Sequence, residues 1–363
     1  MHPAIARRWG RYRQRLAAGH AALGRPEDAL PHATAAVRHL HRTDLRTELV
    51  AAYDIVASCE QELGRLDAAL AARRSAIDVL ERTDPGRTAW TLALVKLGDL
   101  VRVQGHFDEA EEVLTRALNN APTDPDGDGR PVRALVLNAL GIVYKDAGRY
   151  DAAEAAYTEA FELITTTCAP DDPATASLWH NLAGLAHARG QAGQAATAAE
   201  RAVQIRERAL GPDHHLVAQD LAVQGAALLE LGRTAEAEQL FERALVIFRA
   251  RHPADQHDVA VNISNLAACR LQRHDGAGAE ALFRQGLLIK QATFGDDHPE
   301  VARQLNNLAV AVAAQHRFDE ARDLHREALS IAQNALPADH PLAQACRQNV
   351  ATSEEREATT STG

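Results

Sequence analysis

The chain has 363 residues, 46% of them hydrophobic and 24% charged, but only 4% aromatic, and 74 are alanine. Alanine is the best helix former and lets helix axes approach closely, whereas sheets draw on β-branched and aromatic residues, so the composition excludes a sheet-based fold and predicts an all-α chain. The formal net charge of -10 argues against nucleic acid or a membrane surface as partner of the chain as a whole.

The first element is basic. Residues 1–50 carry nine Arg against four Asp or Glu, which makes them +5 and leaves -15 for the remainder. Arg7, Arg8, Arg11, Arg13 and Arg15 crowd one stretch, with Trp9 and Tyr12 between them. Such a stretch reads either as a solvated first helix or as a contact for phosphate or an acidic partner. Met1 to Arg15 holds no apolar run of signal-peptide length, and no stretch of 18 apolar residues occurs in the sequence, so a cytoplasmic protein is expected. Only three lysines stand against 36 arginines, the bias of a GC-rich bacterial genome.

From there a single unit recurs to the C-terminal region. An alanine fixes the register at Ala29, Ala69, Ala110, Ala153, Ala195, Ala237, Ala279 and Ala321. Twelve residues earlier stands another small residue (Ala17, Ala57, Gly98, Gly141, Ala183, Gly225, Ala267, Ala309), and seven residues later a third (Ala36, Ala76, Ala117, Ala160, Ala202, Ala244, Gly286, Ala328). Small residues at these spacings are what two helices need where they cross and touch. The break between the helices falls at Gly24, Gly64, Gly105, Gly148, Gly190 and Gly232, where a left-handed backbone costs glycine nothing. His274 and His316 replace glycine in the last two copies, and histidine is among the side chains that tolerate that conformation. Asp171, Asp213, Asp255, Asp297 and Asp339 recur every 42 residues and predict the N-caps, with Pro173, Pro299 and Pro341 in the first turn. Eight copies are expected over about residues 3–42, 45–82, 87–120, 131–167, 172–210, 214–251, 256–293 and 298–335. They form one domain over 3–351, closed by a capping helix at 340–351, and the polar residues 352–363 are expected to be disordered.

Trp179-x2-Leu182-Ala183 followed by Ala195, with Ala237-x3-Phe241 and Ala279-x3-Phe283 in later copies, resembles the tetratricopeptide repeat. The 42-residue period, Asn181-Leu182-Ala183, Asn265-Leu266-Ala267 and Asn306-Asn307-Leu308-Ala309, and the Gly295-to-Pro299 linker are similar to the kinesin-light-chain type. The resemblance covers nearly the whole chain and implies a right-handed superhelical α-solenoid in which the first helix of each pair, the A helix, lines the concave side.

Enzyme chemistry is absent motif by motif. None of Lys96, Lys145 and Lys290 follows a glycine, so there is no P-loop, and HExxH, GxSxG and CxxC are missing. Cys59, Cys168, Cys269 and Cys346 are at least 77 residues apart; they read as reduced thiols, Cys59 and Cys269 as small core residues. Asp124, Asp126, Asp128 and Gly129 imitate the first half of a calcium loop, but Leu135 stands where the bidentate carboxylate belongs, and the segment reads as turn chemistry. No catalytic residue, metal or cofactor is expected.

The groove positions that the resemblance implies lie six, three and two before the first small residue and one, four and five after it. They select Lys96, Asp99, Arg102, Asn138, Lys145, His180, Asn181 and His187, then Gln219, Ser264, Asn265, Arg303, Asn306 and Asn307. Asn can donate to and accept from the backbone of an extended peptide, while Arg and Lys meet its carboxylates; the same Asn residues can instead bond neighbouring helices. The expected function is non-catalytic binding of a protein or extended peptide. The alternatives are a regulatory sensor taking a signalling peptide or small molecule, and a self-assembly module. The chaperone-tail clamp of some tetratricopeptide proteins needs Asn directly after the first small residue, and this sequence has Ala18, Ser58, Asp99, Ile142, Gly184, Ala226, Ala268 and Val310 there.

Overall fold

Every regular element among the described residues (3–82, 87–122, 129–166, 172–250, 256–336 and 340–360) of the computed structural model is an α-helix. Eight helix pairs follow one another: α1 (Pro3–Ala22) with α2 (Pro26–Leu40), α3 (Arg46–Glu62) with α4 (Leu66–Glu81), α5 (Arg87–Val103) with α6 (Phe107–Asn120), and α7 (Gly129–Asp146) with α8 (Tyr150–Thr165). They continue as α9 (Pro173–Ala188) with α10 (Ala192–Leu210), α11 (His215–Glu230) with α12 (Thr234–Ala250), α13 (Gln256–Gln272) with α14 (Gly276–Phe294), and α15 (Pro299–Ala313) with α16 (Phe318–Ala335). A last helix, α17 (Pro341–Thr360), packs on α16. By their contacts these helices group into two compact units, Met1–Asn181 and Leu182–Gly363.

The small residues hold the pairs together. All three small positions are buried in all eight repeats, and in five of them the size of the residue four after the second one is matched by the room the first leaves. Where that residue is Leu114, Tyr157 or Phe241, the position opposite is Gly98, Gly141 or Gly225, and an added Cβ would come within 2.7, 2.3 and 2.8 Å of the facing side chain. Where it is Ala33 or Ala199, the position opposite is Ala17 or Ala183. Packing at interior density favours this exchange of volume, although in the seventh repeat the buried Phe283 stands opposite Ala267.

The turns are as the glycines imply: all six repeated glycines have positive φ, and so do His274 (φ 61) and His316 (φ 63). The N-caps are corrected by one residue. Imidazole Nδ1 of His214 accepts from Leu216 N–H (3.3 Å), of His298 from Glu300 N–H (3.2 Å) and of His340 from Leu342 N–H (3.1 Å), while Asp172 Oδ1 takes Ala174 N–H at 2.8 Å. Asp213 and Asp297 therefore precede the cap, because the helix starts one residue later and the next side chain reaches the free N–H. Asp171, Asp255 and Asp339 lie outside the described residues, as do Cys168 and Asp124 to Asp128. The last helix, α17, runs on through residues 352–360.

Cys59, Cys269 and Cys346 are buried free thiols. Burial pushes the Cys269 thiol up to about 11, which makes it an inert core residue rather than a nucleophile.

Candidate functional site

In the first unit the A-helix residues selected by sequence join successive repeats. Lys96 on α5 donates to Asp54 Oδ2 on α3 at 2.6 Å, and Asp54 Oδ1 takes Arg73 of α4 at 2.5 Å. Arg102 on α5 bonds Asp99 on its own helix (2.8 Å) and Asp146 on α7 (2.6 Å), with Lys145 Nζ 3.3 Å from Asp146. Burial pulls the Arg102 pKa down, but the two carboxylates outweigh it and hold the guanidinium above its ordinary value. Asn181 Nδ2 donates to Asn138 Oδ1 at 2.6 Å, linking α9 to α7. The result is a polar seam running from α3 to α9, each step about 42 residues on in sequence. Asp54 and Asp146 were not among the expected residues. Their signal was the register itself, since they stand three before Ala57 and five after Gly141.

The second unit sorts its residues differently. Ser264 on α13 bonds Gln304 on α15 (2.8 Å), and Gln304 in turn donates to the Phe283 carbonyl (2.9 Å). Asn349 of α17 donates to Asn306 Oδ1 at 2.8 Å, in the same relation as Asn181 to Asn138. These side chains are committed to neighbouring helices. His187 Nδ1 lies 3.3 Å from Glu230, and Arg303, half exposed, leans on Glu300 at 3.2 Å. His180, in the first unit, is half-buried on α9.

Gln219 on α11, Asn265 on α13 and Asn307 on α15 remain. Each is half-buried, and none has a side-chain partner among the described residues. Asn265 and Asn307 occupy the same place, two residues before the first small position of adjoining repeats, and Val310, 44% exposed, follows on α15. On α15 Asn307 has Arg303 four residues before it and Val310 three after, and both Asn amides are able to donate and accept. Among the described residues no group of three His, Cys, Asp or Glu side chains is placed to hold a metal ion, and no helix is long and apolar enough to cross a membrane.

A family model described as the tetratricopeptide repeat matches residues 87–166, 132–207, 174–250 and 258–334, which together make up more than half of the chain. No curated protein matches the sequence. Among solved structures, BtubC (BKLC) from P. vanneervenii is similar with a TM-score of 0.55 at 22% identity, over 63% of this chain and 92% of that one. The signal transduction ATPase with numerous domains and a tetratricopeptide repeat sensor from Pyrococcus horikoshii gives a TM-score of 0.61 at 15% identity, over 90% of this chain and 49% of that one. A tetratricopeptide repeat protein from Parabacteroides merdae gives 0.52 at 14% identity, over 84% of this chain and 98% of that one.

Proposed function

Because the chain belongs to the tetratricopeptide repeat family, we propose that it is a non-catalytic scaffold holding a protein or extended peptide on the A-helix face of its repeats. The observation that carries this reading is the pair Asn265 and Asn307, whose amides stay unengaged while Asn138, Asn181 and Asn306 are spent on neighbouring helices. An unengaged amide on a partly dried surface gains most when a peptide backbone supplies both of its missing partners. Arg303, beside them, meets a carboxylate of the ligand once it exchanges Glu300 for it.

The likeness to an ATPase that carries a tetratricopeptide repeat sensor supports a second use of the same face, in which the bound peptide is a signal passed to a separate effector. Both readings place the chain in the cytoplasm with protein partners and without a cofactor. A pull-down from a bacterial lysate with wild type and Arg303→Ala/Asn307→Ala tests them. The variant is expected to lose the captured partners, and equal recovery with both baits overturns the assignment of this face.

A further inference from the structure

The basic first helix carries a second interaction surface. On α1, Ala6, Gly10 and Ala17 are buried against α2, while Ile5, Trp9 and Tyr12 recur at helical spacing on another face. They are 49%, 47% and 53% exposed, and Trp9 meets Tyr12 edge to face at 5.8 Å. With Ala4 and Arg8 they line an open recess of about 700 Å³.

The repeat register shows what such a face is built for. Trp9 and Tyr12 stand eight and five residues before the first small position. In each of the other seven repeats the residues at those two places are buried or half-buried, never exposed. In the second repeat they are Leu49 and Ala52, covered by Ala36 and Leu40 of α2. In the fourth repeat Val136 lies under Leu114 and Ala117 of α6. A helix is thus what covers this face elsewhere in the same chain.

Charge narrows the helix. Of the five clustered arginines, Arg7 pairs with Asp44 (2.7 Å), Arg11 with Glu48 (2.6 Å) and Arg13 with His32 (2.7 Å). Arg8 and Arg15 are exposed, have no side-chain partner among the described residues, and flank the aromatic stripe on one side. Two copies of α1 meeting face to face would bring these like charges together, which is unfavourable. We infer that the Ile5/Trp9/Tyr12 face of α1 is a docking site for an acidic amphipathic helix of a partner protein, its apolar stripe on the aromatics and its carboxylates on Arg8 and Arg15.

This chain supplies its own probe. α6 is acidic, with Asp108, Glu109, Glu111 and Glu112 against Arg116, and its apolar side covers the equivalent face of α7. A labelled, lactam-bridged peptide of residues 105–122 is titrated against the full-length protein by fluorescence anisotropy. Saturable binding is expected, weakened at least about tenfold by Arg8→Glu/Arg15→Glu, regained by a peptide whose four acidic residues are lysine, and unchanged by Asn265→Ala/Asn307→Ala. Circular dichroism confirms that the charge variant is folded. No saturation up to about 1 mM peptide, or equal binding by wild type and the charge variant, overturns the proposal. So does a Trp9-dependent association with phosphatidylserine-containing vesicles, or a dimer in sedimentation that Trp9→Ser dissolves, in the absence of peptide binding.

Discussion

Gly141→Ala isolates the volume exchange at the helix crossings. Tyr157 on α8 is fully buried, and a Cβ at Gly141 would stand 2.3 Å from its Cε1, 2.6 Å from Cδ1 and 2.8 Å from Cζ. These are atoms of a rigid and fully buried ring, so the contact is relieved only by displacing what packs around it. Replacing glycine by alanine inside a helix is worth about 1 kcal/mol of propensity. Overpacking a core costs about 1–3 kcal/mol, and more where the neighbour is stiff. Gly141→Ala is therefore expected to destabilise α7 and α8 by about 1–2 kcal/mol, whereas Gly19→Ala, with nothing within 4 Å, stabilises α1 by up to about 1 kcal/mol. A repeat array does not melt in one step, so amide hydrogen exchange of α7 and α8 is the assay, each tenfold loss of protection reporting about 1.4 kcal/mol. In a Tyr157→Ala background the pair becomes the Ala–Ala arrangement of the first and fifth repeats, and the same substitution should there protect rather than expose. If Gly141→Ala raises protection in both backgrounds, the crossing is not set by volume and the reasoning fails.

Other substitutions reach other parts of the account. Arg206 on α10 and Asp220 on α11 form a buried ion pair at 2.7 Å, their side chains 6% and 0% exposed. Asp220→Ala is expected to cost about 3–5 kcal/mol in the amide protection of α10 and α11, and Arg206→Met/Asp220→Leu to recover most of it; a single variant as protected as wild type contradicts the pairing. His325 is buried, and desolvation lowers its pKa below the ordinary 6.5. The unfolded chain then binds the proton first, so stability is complete above pH about 6.5 and falls as the pH drops toward the lowered value. The gap in α16 amide protection between wild type and His325→Met, corrected for intrinsic exchange at each pH, should accordingly shift in favour of the variant from pH 7.5 to 5.5, and a constant gap excludes the effect. His298→Ala removes the acceptor that caps α15 and should cost about 1 kcal/mol, with His298→Asp restoring it; amide exchange at Glu300 reads both.

Much of this architecture stands in the residue pattern because one physical requirement repeats eight times. Two helices crossing at a tight turn need small residues at fixed spacing and a left-handed residue between them, and sequence displays both, down to His274 and His316 in the glycine place. The caps were displaced by one residue because aspartate preference is a statistical guide, while the free N–H bonds whichever acceptor reaches it, here an imidazole.

The A-helix face was legible in position and not in partnership. Register selects Asn138, Asn181, Asn265 and Asn307 alike, yet an amide finds a partner where an asparagine stands 43 residues before it, as Asn138 does for Asn181 and Asn306 for Asn349, and not where that place holds Ala222 or Ser264. Asp54 and Asp146 illustrate the converse. They complete the ion pairs of Lys96 and Arg102 across repeats, and only the folded chain shows that these cations already have partners. For the same reason the five arginines of α1 read as one patch in sequence, while the structure divides them into three engaged and two presented.

The central proposal, a peptide held by unengaged amides on the A-helix face, meets its most direct test in peptides selected from a random library on the wild-type protein. The enriched peptide is measured by isothermal titration against wild type, Asn265→Ala/Asn307→Ala and Asn138→Ala/Asn181→Ala. Loss of the two presented amides should weaken binding by about 1–3 kcal/mol, that is about fivefold to 150-fold, while loss of the helix-bonded pair leaves affinity nearly unchanged once folding is verified. Equal affinity for wild type and Asn265→Ala/Asn307→Ala would contradict the account.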